Sequence, residues 1–150
     1  MRHTVRQATS RDLDQLVPLF DHYRQFYGRT SDLCAAREFL LARFHNDEST
    51  VFIAHEEERA IGFTQLYPSF SSISLARIFI LNDLFVHEQA RRKGVASALM
   101  SAAVQFAIAM GAVRLSLSTA ITNDAAQALY HSAGWKREDQ FLVYDLAIPT

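Results

Sequence analysis

The spacing of apolar side chains changes along the chain, and each change marks an element. Thr4 to Ala8 alternates weakly, as a short strand does. Thr9-Ser10 precedes Arg11-Asp12 and reads as a helix cap. Leu13, Leu16, Val17 and Phe20 then recur at helical spacing, and Tyr23 and Tyr27 extend the stripe. Pro18 falls inside this pattern, where it predicts a kink or a split. Gly28-Arg29-Thr30-Ser31 breaks the run. Ser31 or Asp32 caps a second helix carrying Ala36, Phe39, Leu40, Arg43 and Phe44, which ends near His45-Asn46-Asp47.

The period then becomes that of strands. Thr50–His55 and Ala60–Tyr67 flank the polar turn Glu56-Glu57-Glu58-Arg59 and predict a hairpin with a solvated tip. Pro68–Ser72 predicts a loop, and Leu75–Val86 a long central strand. After Gly94, the residues Ala96, Leu99, Met100, Ala103, Phe106, Ala107 and Met110 share one helical face, and Gly111 ends the helix. Val113–Ser118 alternates as a strand. Thr122-Asn123-Asp124 caps a helix through His131, closed by Gly134, and Trp135 with Phe141–Leu146 supplies terminal strand material. The order β-α-α-β-β-β-α-β-α-β predicts an α/β (α+β) sandwich around a mixed sheet. No repeat or linker interrupts it, so residues 1–150 read as a single domain.

Composition narrows the partners. A hydrophobic fraction of 49% with 21% charged residues fits an ordinary globular domain. The net charge of −1 supplies no global basic field and argues against nucleic acid. Cys34 is the single cysteine, so no intrachain disulfide forms. The N-terminus lacks the apolar run of a signal peptide, and no stretch is long enough to span a bilayer. A cytoplasmic location and no membrane partner are therefore expected. The histidines (His3, His22, His45, His55, His87 and His131) show no paired ligand spacing, and no metal site is expected.

Against that neutral background the stretch from Leu81 to Met100 stands out. An apolar strand enters a basic turn, Arg91-Arg92-Lys93-Gly94, and the turn opens a long helix through Val95, Ala96, Ser97 and Ala98. A helix N-terminus carries unpaired N–H groups and partial positive charge. Small residues there let a phosphate approach the main chain. The stretch reads as an anion cradle for a phosphorylated cofactor.

Arg91-Arg92-Lys93-Gly94-Val95-Ala96 resembles the R/Q-x-x-G-x-G/A signature of the GNAT superfamily of N-acetyltransferases, and it sits before the same helix. Asn123-Asp124-Ala125-Ala126-Gln127-Ala128-Leu129-Tyr130-His131-Ser132-Ala133-Gly134-Trp135 resembles that family's N-x-x-A-x-x-L-Y-x-x-x-G-[F/W] segment. Leu81-Asn82-Asp83-Leu84-Phe85-Val86 looks like the L-E-D-[aromatic]-[aromatic]-V segment of the diamine (spermidine/spermine) acetyltransferases, with Asn82 in place of their glutamate. The resemblance implies the GNAT fold, in which acetyl-CoA lies where two parallel strands splay apart. It implies that the main chain of Leu84, Phe85 and Val86 meets the pantetheine arm and acetyl carbonyl. It assigns the pyrophosphate to Arg91, Arg92, Lys93, Gly94, Val95, Ala96 and Ser97, and the pantetheine region to Asn123. Tyr130 is implied as the acid facing the CoA sulfur, and Asp83 is a candidate base.

Those residue types suit the chemistry. An attacking amine must lose a proton, which a carboxylate accepts. A strand-end N–H stabilises the oxyanion, and a phenol donates to the departing thiolate. Bland roles stand beside these: Tyr130 as a core residue, Asp83 as a loop partner, Asn123 as a helix cap. On a regular strand Asn82 and Asp83 face opposite sides. The acceptor side draws on Tyr23, Phe26, Tyr27, Gly28, Asp32, Tyr67, Pro68, Ser69 and Phe70, a set suited to a small amine or a lysine-like acceptor. Family members often form homodimers. The expected function is acetyl transfer to a primary amine by direct attack; a non-catalytic acyl-CoA sensor or partner-binding module is the alternative. A general nucleotide-binding domain is disfavoured, because neither G-x-G-x-x-G nor G-x-x-x-x-G-K-[S/T] occurs.

Overall fold

Five strands lie in the sheet in the order in which the chain makes them. β1 (Thr4–Gln7), β2 (Thr50–Glu56), β3 (Arg59–Ser71) and β4 (Ala76–Val86) pair antiparallel in succession, and β5 (Leu115–Ser116) joins β4 in parallel. The sheet is mixed, as expected. The helices are α1 (Leu13–Phe26), α2 (Leu33–His45), α3 (Val95–Ala109) and α4 (Asp124–Ser132). The computed structural model describes residues 2–150. It divides into two compact units, one ending at Ser118 and the other running Thr119–Thr150.

In the first unit, strand alternation sorts side chains to two faces. Val51, Ile53 and Phe63 join Leu16, Val17 and Phe20 of α1 and Ala36 and Leu40 of α2 in one buried cluster. On the other face, the Phe106 ring of α3 packs edge-on against Phe52 and Phe79, at centroid distances of 5.7 and 5.3 Å. α3 approaches closely there because Gly62 has no side chain. A Cβ on Gly62 would lie 2.9 Å from the Phe85 carbonyl oxygen and 3.3 Å from Leu99 Cδ1.

Local chemistry sets the helix starts. Thr9 and Asp12 form a capping box over the short 3-10 turn Ser10–Asp12 that leads into α1. Asp32 caps α2 through the Ala35 N–H at 3.0 Å. The connection between these helices is tied to Asp21, which is buried on α1. Its carboxylate accepts from Ser31 Oγ at 2.6 Å, the Asp32 N–H at 2.8 Å and Gln25 Nε2 at 2.9 Å.

Four expectations change. Pro18 does not split α1; it sits on the exposed face of one continuous helix. Pro68–Ser71 is strand rather than loop, pairing with Phe79 to Ala76, and the turn comes later at 72–75. Proline is tolerated because β2 ends opposite Leu66, which leaves β3 an edge beyond that point. Phe141–Leu146 forms no strand. Among the described residues, α4 is the only regular element of the second unit, and a helix offers no backbone edge to pair with. The strand expected over Val113–Ser118 shortens to Leu115–Ser116.

Candidate active site

The pairing of β4 with β5 consists of Phe79 opposite Leu115 and Ile80 opposite Ser116. β4 continues to Val86 without that neighbour. On that side Leu81–Val86 has no strand partner among the described residues. Leu84, Phe85 and Val86 lie on this stretch, held from the other side by Thr64, Phe63 and Gly62 of β3.

At the start of the same stretch β4 carries a bulge. Leu66 faces Leu81 and Gln65 faces Asp83, so Asn82 is the extra residue. The bulge decides where Asp83 points. In unbroken register Asp83 would stand opposite Thr64 and share its face. With Asn82 inserted, Asp83 stands opposite Gln65, on the face that carries Phe63 and α1. Asn82 itself is exposed, whereas Asp83 is 4% exposed.

Three residues fix this geometry. Gln65 Nε2 donates to Asp83 Oδ2 at 2.7 Å, and the Thr64 hydroxyl donates to the Asp83 main-chain carbonyl at 2.8 Å. The Tyr23 hydroxyl, from α1, donates to the Asn82 carbonyl at 3.3 Å. Asn82 Nδ2 adds a bond to Asp83 Oδ1 at 3.1 Å. Tyr23 is itself held edge-on against Phe63 and Phe85, with centroids 5.8 and 6.3 Å away. Burial pushes the Asp83 carboxyl up from its ordinary value, and the bonds from Gln65, Tyr23 and Asn82 only partly oppose this. Burial and then the Asp83 charge push the Tyr23 phenol up strongly, and the same two causes take Tyr67 up to about 12. Both phenols thus stay protonated at neutral pH, and Asp83 is the member of the cluster that can exchange a proton.

The basic turn follows. A 3-10 turn over Glu88–Ala90 leads to Arg92 at φ 63° and Gly94 at φ 80°, and α3 begins at Val95. The Ala98 N–H makes the helical bond to the Gly94 carbonyl at 3.0 Å. The N–H groups of Val95, Ala96 and Ser97 precede it and have no carbonyl one turn back. Gly94 contributes no side-chain cap to them. This is a backbone surface suited to a pyrophosphate. The glycine is required by its left-handed φ rather than by crowding, since a Cβ there would meet nothing within 4 Å. Arg91 turns inward: Nε donates to the Val86 carbonyl at 3.0 Å, and the guanidinium lies 5.7 Å from the Phe85 ring centre. It ties the turn to the end of β4, although Arg91, like Arg92 and Lys93, is exposed overall.

Within the second unit, Asn123 is the N-cap of α4, accepting from the Ala126 N–H at 3.1 Å. Tyr130 lies on α4, and its ring stands 6.1 Å from that of Trp135. The Trp135 N–H returns to the Tyr130 carbonyl at 3.0 Å, which closes the helix around Gly134.

Asp83 and Tyr23, both singled out by the sequence, come together here with Gln65, which the sequence did not single out. The available signal was a polar residue in the inward stripe Ile61, Phe63, Gln65, Tyr67. Among the described residues no group of three or more His, Cys, Asp or Glu side chains is arranged to hold a metal. No helix among them is long and apolar enough to cross a membrane.

Comparison with known proteins identifies the family. The model of the acetyltransferase (GNAT) family matches residues 16–135. The chain is 48% identical over 145 residues to an uncharacterized N-acetyltransferase, YhfO, of Bacillus subtilis (strain 168), covering 97% of each chain. It superposes with a TM-score of 0.92 on the crystal structure of a probable acetyltransferase, at 46% identity, covering 100% of this chain and 99% of that one. An aminoglycoside N-acetyltransferase solved in complex with CoA shares the fold, with a TM-score of 0.82 at 19% identity, covering 98% of this chain and 96% of that one. The chain belongs to the acetyltransferase (GNAT) family and is an acetyl-CoA-dependent acetyltransferase.

Proposed function

We propose that the acceptor is a primary amine, small or lysine-like, and that Asp83 receives its proton. The observation that carries this reading is the bulge at Asn82, which turns a carboxylate onto the α1 face beside the open stretch of β4. A buried carboxylate near enough to Tyr23 and Tyr67 for its charge to act on both, and on the strand face that carries Phe85, attracts an ammonium group through charge and ring faces. A carboxyl displaced upward is also a more effective proton acceptor near neutral pH.

The chain's residues then divide the work. The backbone from Arg92 to Ser97, opened by Arg91, holds the pyrophosphate of acetyl-CoA. The main chain of Leu84, Phe85 and Val86 holds the pantetheine arm and polarises the acetyl carbonyl, and Asn123 meets the arm from the start of α4. Asp83, directly or through one water, takes a proton as the amine nitrogen forms its bond to the acetyl carbon. Tyr130 gives a proton to the sulfur as the carbon–sulfur bond breaks. Residues 1–150 act together as a single acetyltransferase domain, and no acyl-enzyme forms.

A panel of diamines, polyamines, amino acids, aminoglycosides and lysine peptides tests the reading by release of the CoA thiol. Thiol release should require a primary amine, and the tertiary-amine analogue of the best acceptor should be inert. Binding of acetyl-CoA with no amine-dependent release across the panel would overturn it.

A further inference from the structure

Gln65 is 0% exposed and lies between Phe63 and Tyr67 in the inward stripe of β3. A carboxamide is a costly occupant of that place. Its Oε1 is buried and, among the described residues, has no hydrogen-bond partner. Methionine or leucine would fill similar volume without an orphaned oxygen. The amide makes one bond that an apolar residue cannot, from Nε2 to Asp83 Oδ2 at 2.7 Å. Oδ1 accepts from the exposed neighbour Asn82 at 3.1 Å, and the Tyr23 hydroxyl lies close enough to act on the same carboxyl. Gln65 is thus the buried anchor of the carboxylate, and its preceding residue Thr64 anchors the carbonyl of the same aspartate at 2.8 Å.

We propose that Gln65 is a positioning residue of the acetyl-transfer reaction, holding the Asp83 carboxylate ionised and in one orientation for the acceptor amine. The inference rests on the reading of Asp83 as the proton acceptor. The titratable groups facing Asp83 are Tyr23 from α1 and Tyr67 from β3, and Arg43 of α2 acts on Tyr67. Both phenols titrate well above neutrality, so among these protein groups the carboxyl is the one that can give an acid limb, which is read on kcat at saturating amine and told from the amine's own titration by Asp83→Asn.

The test uses Gln65→Met and Gln65→Leu in the full chain, with the best amine of the panel. Loss of the Nε2 bond should move the acid limb upward by about one unit, with about tenfold less turnover on the limb and recovery at high pH. The KM for acetyl-CoA should not change. Carbon NMR of the labelled Asp83 carboxyl should show the same displacement without any substrate. In the unmodified protein the Gln65 side-chain amide protons should titrate together with that carboxyl, a readout that needs no variant to fold. Equal loss at every pH, or an amide indifferent to the carboxyl's titration, would reduce Gln65 to packing and overturn the inference. Asp83→Asn separates the two readings. If it leaves the acid limb in place, the proton acceptor is wrongly assigned; if it removes the limb while the Gln65 variants leave it unmoved, only the role of Gln65 falls.

Discussion

Asp83 combines two properties that pull against each other. It is buried, and its carboxyl lies above the ordinary value, so the folded state binds a proton that the unfolded chain has already released. Stability therefore falls as pH rises from the ordinary carboxylate range through the raised value. Asp83→Asn should remove that loss. It is expected to stabilise the protein at neutral pH by roughly 1 kcal/mol while lowering turnover about 100-fold, the trade-off common at active sites. Thermal unfolding and steady-state kinetics on one preparation check both halves; a variant that is both active and less stable would contradict them. Tyr130→Phe belongs to the same scale. It should lower kcat and leave acetyl-CoA affinity intact, and unchanged turnover would remove Tyr130 as the acid. Asp83 and Tyr130 were legible as residues because they fall within recognisable motifs. Gln65 was not, because its meaning depends on a partner on another strand.

At the scale of elements, the bulge in β4 shows what local pattern cannot carry. The run from Leu81 to Val86 reads as unbroken strand, and nothing in it marks Asn82 as the extra residue. The bulge exists only in the register with β3, where Thr64 and Gln65 bind Asp83 and Tyr23 binds Asn82. Deleting Asn82 should close the bulge with Leu81 still opposite Leu66 and Asp83 still opposite Gln65, so the carboxylate keeps its face while Tyr23 loses its partner carbonyl; the sheet should fold and transfer should fall without being abolished, as circular dichroism and the thiol assay check. The extension of β3 through Pro68 was hidden for the same reason, since an edge is defined by where a neighbour stops. The helices were legible because caps and spacing are local. Asp21 fixes two of them. Its carboxyl lies below the ordinary value because the bonds from Ser31, the Asp32 N–H and Gln25 outweigh burial. Here the unfolded chain holds the extra proton, so this stabilisation is present above the ordinary carboxylate range and is lost as pH falls through the lowered value. Asp21→Ala should cost about 2–3 kcal/mol at neutral pH, by urea denaturation, and the deficit should shrink in acid.

Across the whole chain, two motifs and the order of elements were enough to reach the family, because they describe how a strand, a turn and a helix present backbone to a phosphate. The acceptor side was legible only as a list of aromatic and acidic residues. Which of them converge is set by packing of α1 on the sheet, through Tyr23, Phe63 and Phe85, and by the single inserted residue in β4. Phe141–Leu146 carries the apolar run of a strand and forms none, since a strand requires a paired edge as well as apolar residues. The central claim is that an amine is deprotonated at Asp83 on the α1 face of the sheet. A crystal structure with a bisubstrate analogue, CoA joined through its acetyl group to the best amine of the panel, tests it most directly. The pyrophosphate should lie on the amides of residues 92–97, and the amine nitrogen should reach the Asp83 carboxylate directly or through one water. A nitrogen on the α3 face, or one approached by no path from Asp83, would contradict it.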